Sequence, residues 1–146
     1  MKICVAKRWR AEQGSALIEF SLIAFMFIII LLGIVELGRM VLVYTTLANA
    51  ARAGARYAIV HGGDLTTGAS GPGNTAQIQT VVENFASAGL LNTNNLTVTV
   101  TYPNGINTAG GLVSVAVSYP YDPLVAYFSS TLNVTMGSTS EGVIAF

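Results

Sequence analysis

Charge is scarce in this 146-residue chain: 10% of residues are Asp, Glu, Lys or Arg, against about 25% in a soluble globular domain. The scarcity excludes a strongly acidic or basic solvated protein and a disordered tail. Bases are missing altogether from Tyr57 to Phe146, where the only charged residues are Asp64, Glu83, Asp122 and Glu141. A stretch without Lys or Arg cannot track a phosphate backbone by releasing its counterions, so nucleic acid is not an expected partner. One cysteine, Cys4, leaves no internal disulfide to form, and Cys4 with the single histidine, His61, is too little for a Cys/His metal site. The glycine-rich stretch HGGDLTTGASGPGN (61–74) holds neither a G-x-G-x-x-G pattern nor a Walker-type lysine, so nothing there would cradle a phosphate. No Ser-His or Cys-His arrangement is present, and the four acids of the C-terminal part are far apart in sequence. The expectation is a protein without catalytic residues, cofactor or metal.

What the chain does have is apolar surface. Hydrophobic residues make up 52% and the mean hydropathy is +0.59, and the length allows one small domain beside an anchor. The anchor is legible. From Ala16 to Val35 run 20 residues with one charge, Glu19, and at 1.5 Å per residue a helix of that length crosses a hydrocarbon core of about 30 Å. A short leader with four bases, Lys2, Lys7, Arg8 and Arg10, precedes it. Charge density therefore favours an N-terminus in the cytoplasm, although Arg39, Arg52 and Arg56 follow the span. A carboxylate in an apolar span costs about 2.5–3.5 kcal/mol at the bilayer centre and less near an end, so Glu19 needs either the headgroup zone or a partner.

Beyond the span the sequence stays helical in character. From Leu37 to Val60 it contains no proline and is rich in Ala, Leu and Arg, and His61-Gly62-Gly63 supplies a stop. A helix over 15–60 would be roughly 69 Å long. Ala50, Gly54 and Ala58 recur every four residues, with Ala51 and Ala55 as a second row; such rows admit either this protein's own domain or a neighbouring helix. Arg52 and Arg56 share a face one turn apart. Glu36 and Arg39, three apart at the end of the span, read as an interfacial pair or as side chains reaching the headgroups. His61 reads as a helix cap, and 61–74 as a mobile connector.

The remainder predicts a small domain. Asn74 would cap a helix ending near Ala88, with Ile78, Val81, Val82 and Phe85 on one face and Gly89 as its stop. Alternation then predicts strands at Leu96–Tyr102 and Leu112–Tyr119, the second broken by Pro120 and Pro123. A short apolar turn at 124–128, a third strand around Leu132, Val134 and Met136 and a short fourth piece at 143–146 complete the reading. The expected fold is α+β: a long N-terminal transmembrane and stalk helix, then one helix and an antiparallel sheet of three to four short strands.

Gly14 followed five residues later by Glu19 resembles the processing site of type IV prepilins. With Glu19-Phe20, the stretch Ile34-Val35-Glu36-Leu37-Gly38-Arg39 and the tract from Ala50 to Ala58, the chain resembles the TadE-like family of tight-adherence (Flp) pilus pseudopilins, most closely over 13–60. Phe20 stands where the family's major pilins often carry tyrosine. The resemblance implies a leader, 1–14, removed by a prepilin peptidase between Gly14 and Ser15. It further implies a transmembrane and stalk helix over 15–60 and a periplasmic domain over 61–146. Gly14, Ser15, Glu19 and Phe20 would form the processing site. Glu19, with Ala50, Ala51, Arg52, Gly54, Ala55, Arg56 and Ala58, would serve assembly and helix packing. Cleavage would leave three bases and six acids on side chains.

The implied partners are the peptidase, other pilins or pseudopilins, the inner-membrane assembly platform and membrane lipid. The implied place is the bacterial inner membrane as a single-pass protein, with incorporation in a surface pilus as a further stage. A C-terminal part of 86 residues is large for a major pilin of this kind, which favours a minor or initiating role. The alternatives are an unprocessed, permanently anchored envelope binding protein and, less favoured, a membrane-tethered enzyme.

Overall fold

Good helix formers and the absence of any proline before Pro72 let one helix run without a break, and α1 spans Val5–Val60. The computed structural model describes residues 5–63, 70–89, 91–124 and 134–145, with side chains of α1 from Gly14 onward. The helix starts ahead of the expected position near Ser15, because no proline interrupts the chain there and a single glycine, Gly14, weakens a helix without ending it. It ends as the glycines require. The His61 amide donates to Tyr57 O at 3.0 Å, Gly62 and Gly63 follow, and the chain leaves the helix. Two compact units result, Met1–Gly38 and Arg39–Phe146.

In the second unit α2 (Ala76–Ala88) follows, then a single 3₁₀ turn, Thr93–Asn95, and three strands: β1 (Thr97–Thr101), β2 (Leu112–Tyr121) and β3 (Val134–Val143). The strands form one antiparallel sheet in the order β1-β2-β3, with Val100 opposite Val115 and Val115 opposite Ser140. Alternation sets the faces. Val98, Val100, Val113, Val115 and Val117 point to the core, and Thr97, Thr99 and Thr101 point away. Ile78, Val82 and Ala86, spaced by four, bury one stripe of α2. The last component is the inner row of α1, with Leu47, Ala50, Ala51, Ala55 and Ala58 all buried.

Several expectations need correction. The N-cap of α2 is Thr75; the backbone of Asn74 instead exchanges hydrogen bonds with Gly71. Phe85 is 43% exposed and Ala86 takes the buried place, because the 78–82–86 row, not the 81–85 row, faces the sheet. Pro120 does not break β2. It pairs with Thr135 of β3 beyond Ser118, the last partner of β1, where β2 has a neighbour on one side only and a missing N–H is tolerated. β3 is a single ten-residue strand, and its predicted beginning at Leu132, like most of the 124–128 turn, lies outside the described residues. No separate fourth strand forms among them. The tail instead continues from β3 by bonds from Ile144 N to Gly111 O (2.8 Å) and from Ala145 N to Ile59 O (3.0 Å). Gly110, at φ 87°, donates back to Ile144 O, a turn that a side chain there would strain.

The connector after α1 is pinned at both described ends. Ser70 is buried and donates to His61 O from both its amide and its hydroxyl, each at 2.7 Å. Asn107 joins the two ends, its carbonyl accepting from Gly63 N and its Nδ2 donating to Ser70 O. Residues 64–69, with Asp64, lie outside the described residues.

Candidate functional site

The first unit is built from a helix with nothing around it. Gly14, Ser15, Glu19 and Phe20 are exposed, as is almost every residue to Gly38, and no part of the apolar window is buried within the protein. Phe20 is 70% exposed and Ile34 61%, with Leu22, Ile23, Phe25, Met26, Phe27 and Ile28 between them. At about 25 cal/mol per Å² no helix leaves such a surface in water, and the length and composition suit a membrane span. From Gly14 to Val35, polarity is limited to Ser15, Glu19 and Ser21, whose hydroxyl donates to Ile18 O at 2.8 Å. Gly14 and Ser15 are exposed, and Glu19 lies one helical turn beyond Ser15.

The assembly residues divide between two environments. Ala50, Ala51, Gly54, Ala55 and Ala58 are buried against the chain's own α2 and β2: a β-carbon on Gly54 would lie 2.5 Å from Val82 Cγ2 and 3.3 Å from Val115 Cγ1. Of the two partners the sequence left open for this row, the row's own domain occupies it. Arg52 and Arg56 are exposed on the opposite face. Small residues are what allows sheet and helix to close on α1 at this distance.

His61 sits at the helix end as expected of a cap. Its Nδ1 donates to Tyr57 O at 3.0 Å, and its ring stacks on that of Tyr57 with centroids 3.9 Å apart. The Tyr57 hydroxyl in turn donates to Gln77 Oε1 of α2. The acids Glu83, Asp122 and Glu141 are all exposed, and no group of three metal-ligating side chains occurs among the described residues.

Arg39 does something the sequence did not announce. Its guanidinium carbon lies 5.4 Å from the centroid of Tyr121, a cation–π contact, and its Nη1 is buried without a hydrogen-bond partner among the described residues. No sequence signal links Arg39 to a tyrosine 82 positions away; the link depends on β2 continuing through Pro120.

Residues 14–56 match the family model described as TadE-like protein, a family associated with tight-adherence pilus systems. The match begins at the predicted cleavage glycine and ends at Arg56, leaving 57–146 outside it. No curated protein and no solved structure shows a significant match to the chain.

Proposed function

We propose that this chain is a structural pseudopilin of a tight-adherence pilus system, cut after Gly14 by a prepilin peptidase and assembled through its apolar helix. A minor or initiating subunit suits the size of its C-terminal domain. The observation that carries the reading is the wholly unburied apolar surface from Leu17 to Val35, headed by Gly14 and Glu19, inside the segment that matches the TadE-like family. Before assembly, lipid covers that surface in the inner membrane, with the leader, 1–14, in the cytoplasm and the C-terminal domain in the periplasm. On assembly the helices of neighbouring subunits replace lipid. The exchange conserves apolar burial, so its direction is set by packing and by polar groups such as Glu19.

Cleavage would free the Ser15 ammonium next to Glu19. A carboxylate in the apolar zone of one subunit can pair with that ammonium in another, and such a pair selects register more than it stabilises. Arg52 and Arg56, exposed on α1, are placed to meet acidic partners. The test is genetic: deleting the gene in its host should remove surface pili, counted by electron microscopy, and the full-length chain supplied in trans should restore them. Unchanged pilus numbers after deletion would overturn the assembly role and favour an anchored binding protein.

A further inference from the structure

Resting on the reading of 16–35 as a membrane span, we infer that Arg39 and the cavity beside it form a binding site for the phosphate of an anionic membrane lipid. The cavity holds about 260 Å³, far above the roughly 10–15 Å³ that admits one water, and it lies wholly within the second unit. Arg39, Leu42, Val43, Leu91, Tyr119 and Tyr121 line it. Its walls are apolar or aromatic, and the one formal charge among them is the Arg39 guanidinium. The guanidinium carbon lies 5.4 Å from the centroid of the Tyr121 ring, and Nη1 is removed from water with no acceptor among the described residues. A buried cationic donor without an acceptor is costly, and a phosphate oxygen is the acceptor that a planar guanidinium fits best.

Position along the chain selects lipid as the source of that phosphate. Arg39 follows Val35 by four residues, about 6 Å of helix rise, and the polar layer on each face of a bilayer is roughly 5–7 Å deep. Arg39 is therefore level with the headgroups. Arg52 and Arg56, the only other bases from Ser15 onward, lie some three to five turns farther along α1. With no Lys or Arg after Arg56, the C-terminal strands and loops offer the anion no competing cation.

The test is native mass spectrometry of the full-length chain in non-ionic detergent with phosphatidylglycerol, and with phosphatidylcholine as the neutral comparison. Phosphatidylglycerol adducts should exceed those of phosphatidylcholine. Arg39→Gln should reduce them at least about tenfold, the scale of one charge-assisted hydrogen bond, and Arg52→Gln should leave them unchanged. Leu42→Trp adds bulk at a lining residue that is 55% exposed and keeps Arg39, so it should reduce the adducts too, even if Arg39→Gln misfolds. Equal adducts in wild type, Arg39→Gln and Leu42→Trp would overturn the site. Displacement of the lipid by equimolar inorganic phosphate would assign the cavity to a free anion instead. Loss of chain–chain association in Arg39→Gln with lipid adducts intact would assign it to a carboxylate of another subunit. Alkaline extraction of membranes separates the two levels: release of the chain contradicts the span itself, whereas retention with Arg39-independent adducts contradicts only the lipid site.

Discussion

Gly54→Leu is expected to lower the thermal midpoint of the Arg39–Phe146 unit by about 15 °C or to unfold it outright, measured by circular dichroism on the full chain in detergent. Two effects oppose each other at this position. A glycine inside a helix costs about 1 kcal/mol relative to alanine, so any side chain that fits would stabilise α1. None fits well, because even a β-carbon would lie 2.5 Å from Val82 Cγ2, 3.3 Å from Val115 Cγ1 and 3.4 Å from Ile78 Cγ2. Those three side chains are fully buried and come from two different elements, so relieving the clash means moving α1 away from both α2 and β2. Overpacking of a dense core commonly costs about 1–3 kcal/mol, and a whole isobutyl group at the meeting point of three elements belongs at or above the top of that range. For a domain of this size about 3 kcal/mol corresponds to a drop of roughly 12–24 °C. Gly54→Ala gains helix propensity but still sets a β-carbon 2.5 Å from Cγ2 of the buried, β-branched Val82, so its midpoint should fall too, by less than that of Gly54→Leu. Arg52→Leu, on the exposed face two residues earlier, should change stability by no more than about 0.5 kcal/mol. A Gly54→Leu midpoint equal to wild type would contradict the packing of α1 against α2 and β2.

The second large effect is on assembly. Glu19→Leu should leave the chain in the membrane, yet reduce surface pili at least tenfold. On membrane scales leucine is favourable by about 0.3–0.6 kcal/mol where a carboxylate costs up to about 3.5, so the change strengthens anchoring. A defect after this substitution therefore cannot come from weakened insertion. In the filament the substitution would strand the ammonium of Ser15 in an apolar interface, and breaking one member of a buried ion pair costs about 3–5 kcal/mol. Glu19→Asp, which keeps the charge on a shorter arm, should recover part of the pili. Wild-type pilus numbers from Glu19→Leu would remove Glu19 from the assembly mechanism.

The parts of this fold written in local pattern were legible in the sequence. The apolar run to Val35, the helix through Val60, the Val/Thr alternation of β1 and the alternation of Val with Ser and Ala in β2 each follow from a single periodicity, 3.6 or 2, sustained over enough residues to be distinctive. β3 was only half legible, because Thr135-Met136-Gly137-Ser138-Thr139-Ser140-Glu141-Gly142 has the composition of a loop. It becomes a strand by pairing along the full length of β2, with Ser138, Ser140 and Gly142 on its half-buried face and Gly142 close against Ile59 of α1. The fate of the Ala50–Ala58 row was equally open, since small residues serve an internal partner and an external one alike. The pinned connector and the Arg39–Tyr121 contact depend on groups 37 and 82 residues apart, and no local rule reports on such distances. Of the candidate site, Gly14, Ser15, Glu19 and Phe20 make up a linear motif, and the structure adds that all four are exposed on α1. The Arg39 cavity was not legible in the sequence, because folding makes it.

As a peptidase substrate, the proposed pseudopilin would keep its apolar helix after its leader is removed. The intact mass of the membrane-extracted protein, produced with and without the cognate prepilin peptidase, tests this most directly. The expected result is a loss equal to residues 1–14 that requires the peptidase and disappears in Gly14→Phe. A leader still present on wild-type chain beside an active peptidase would contradict the account and leave a permanently anchored envelope protein in its place.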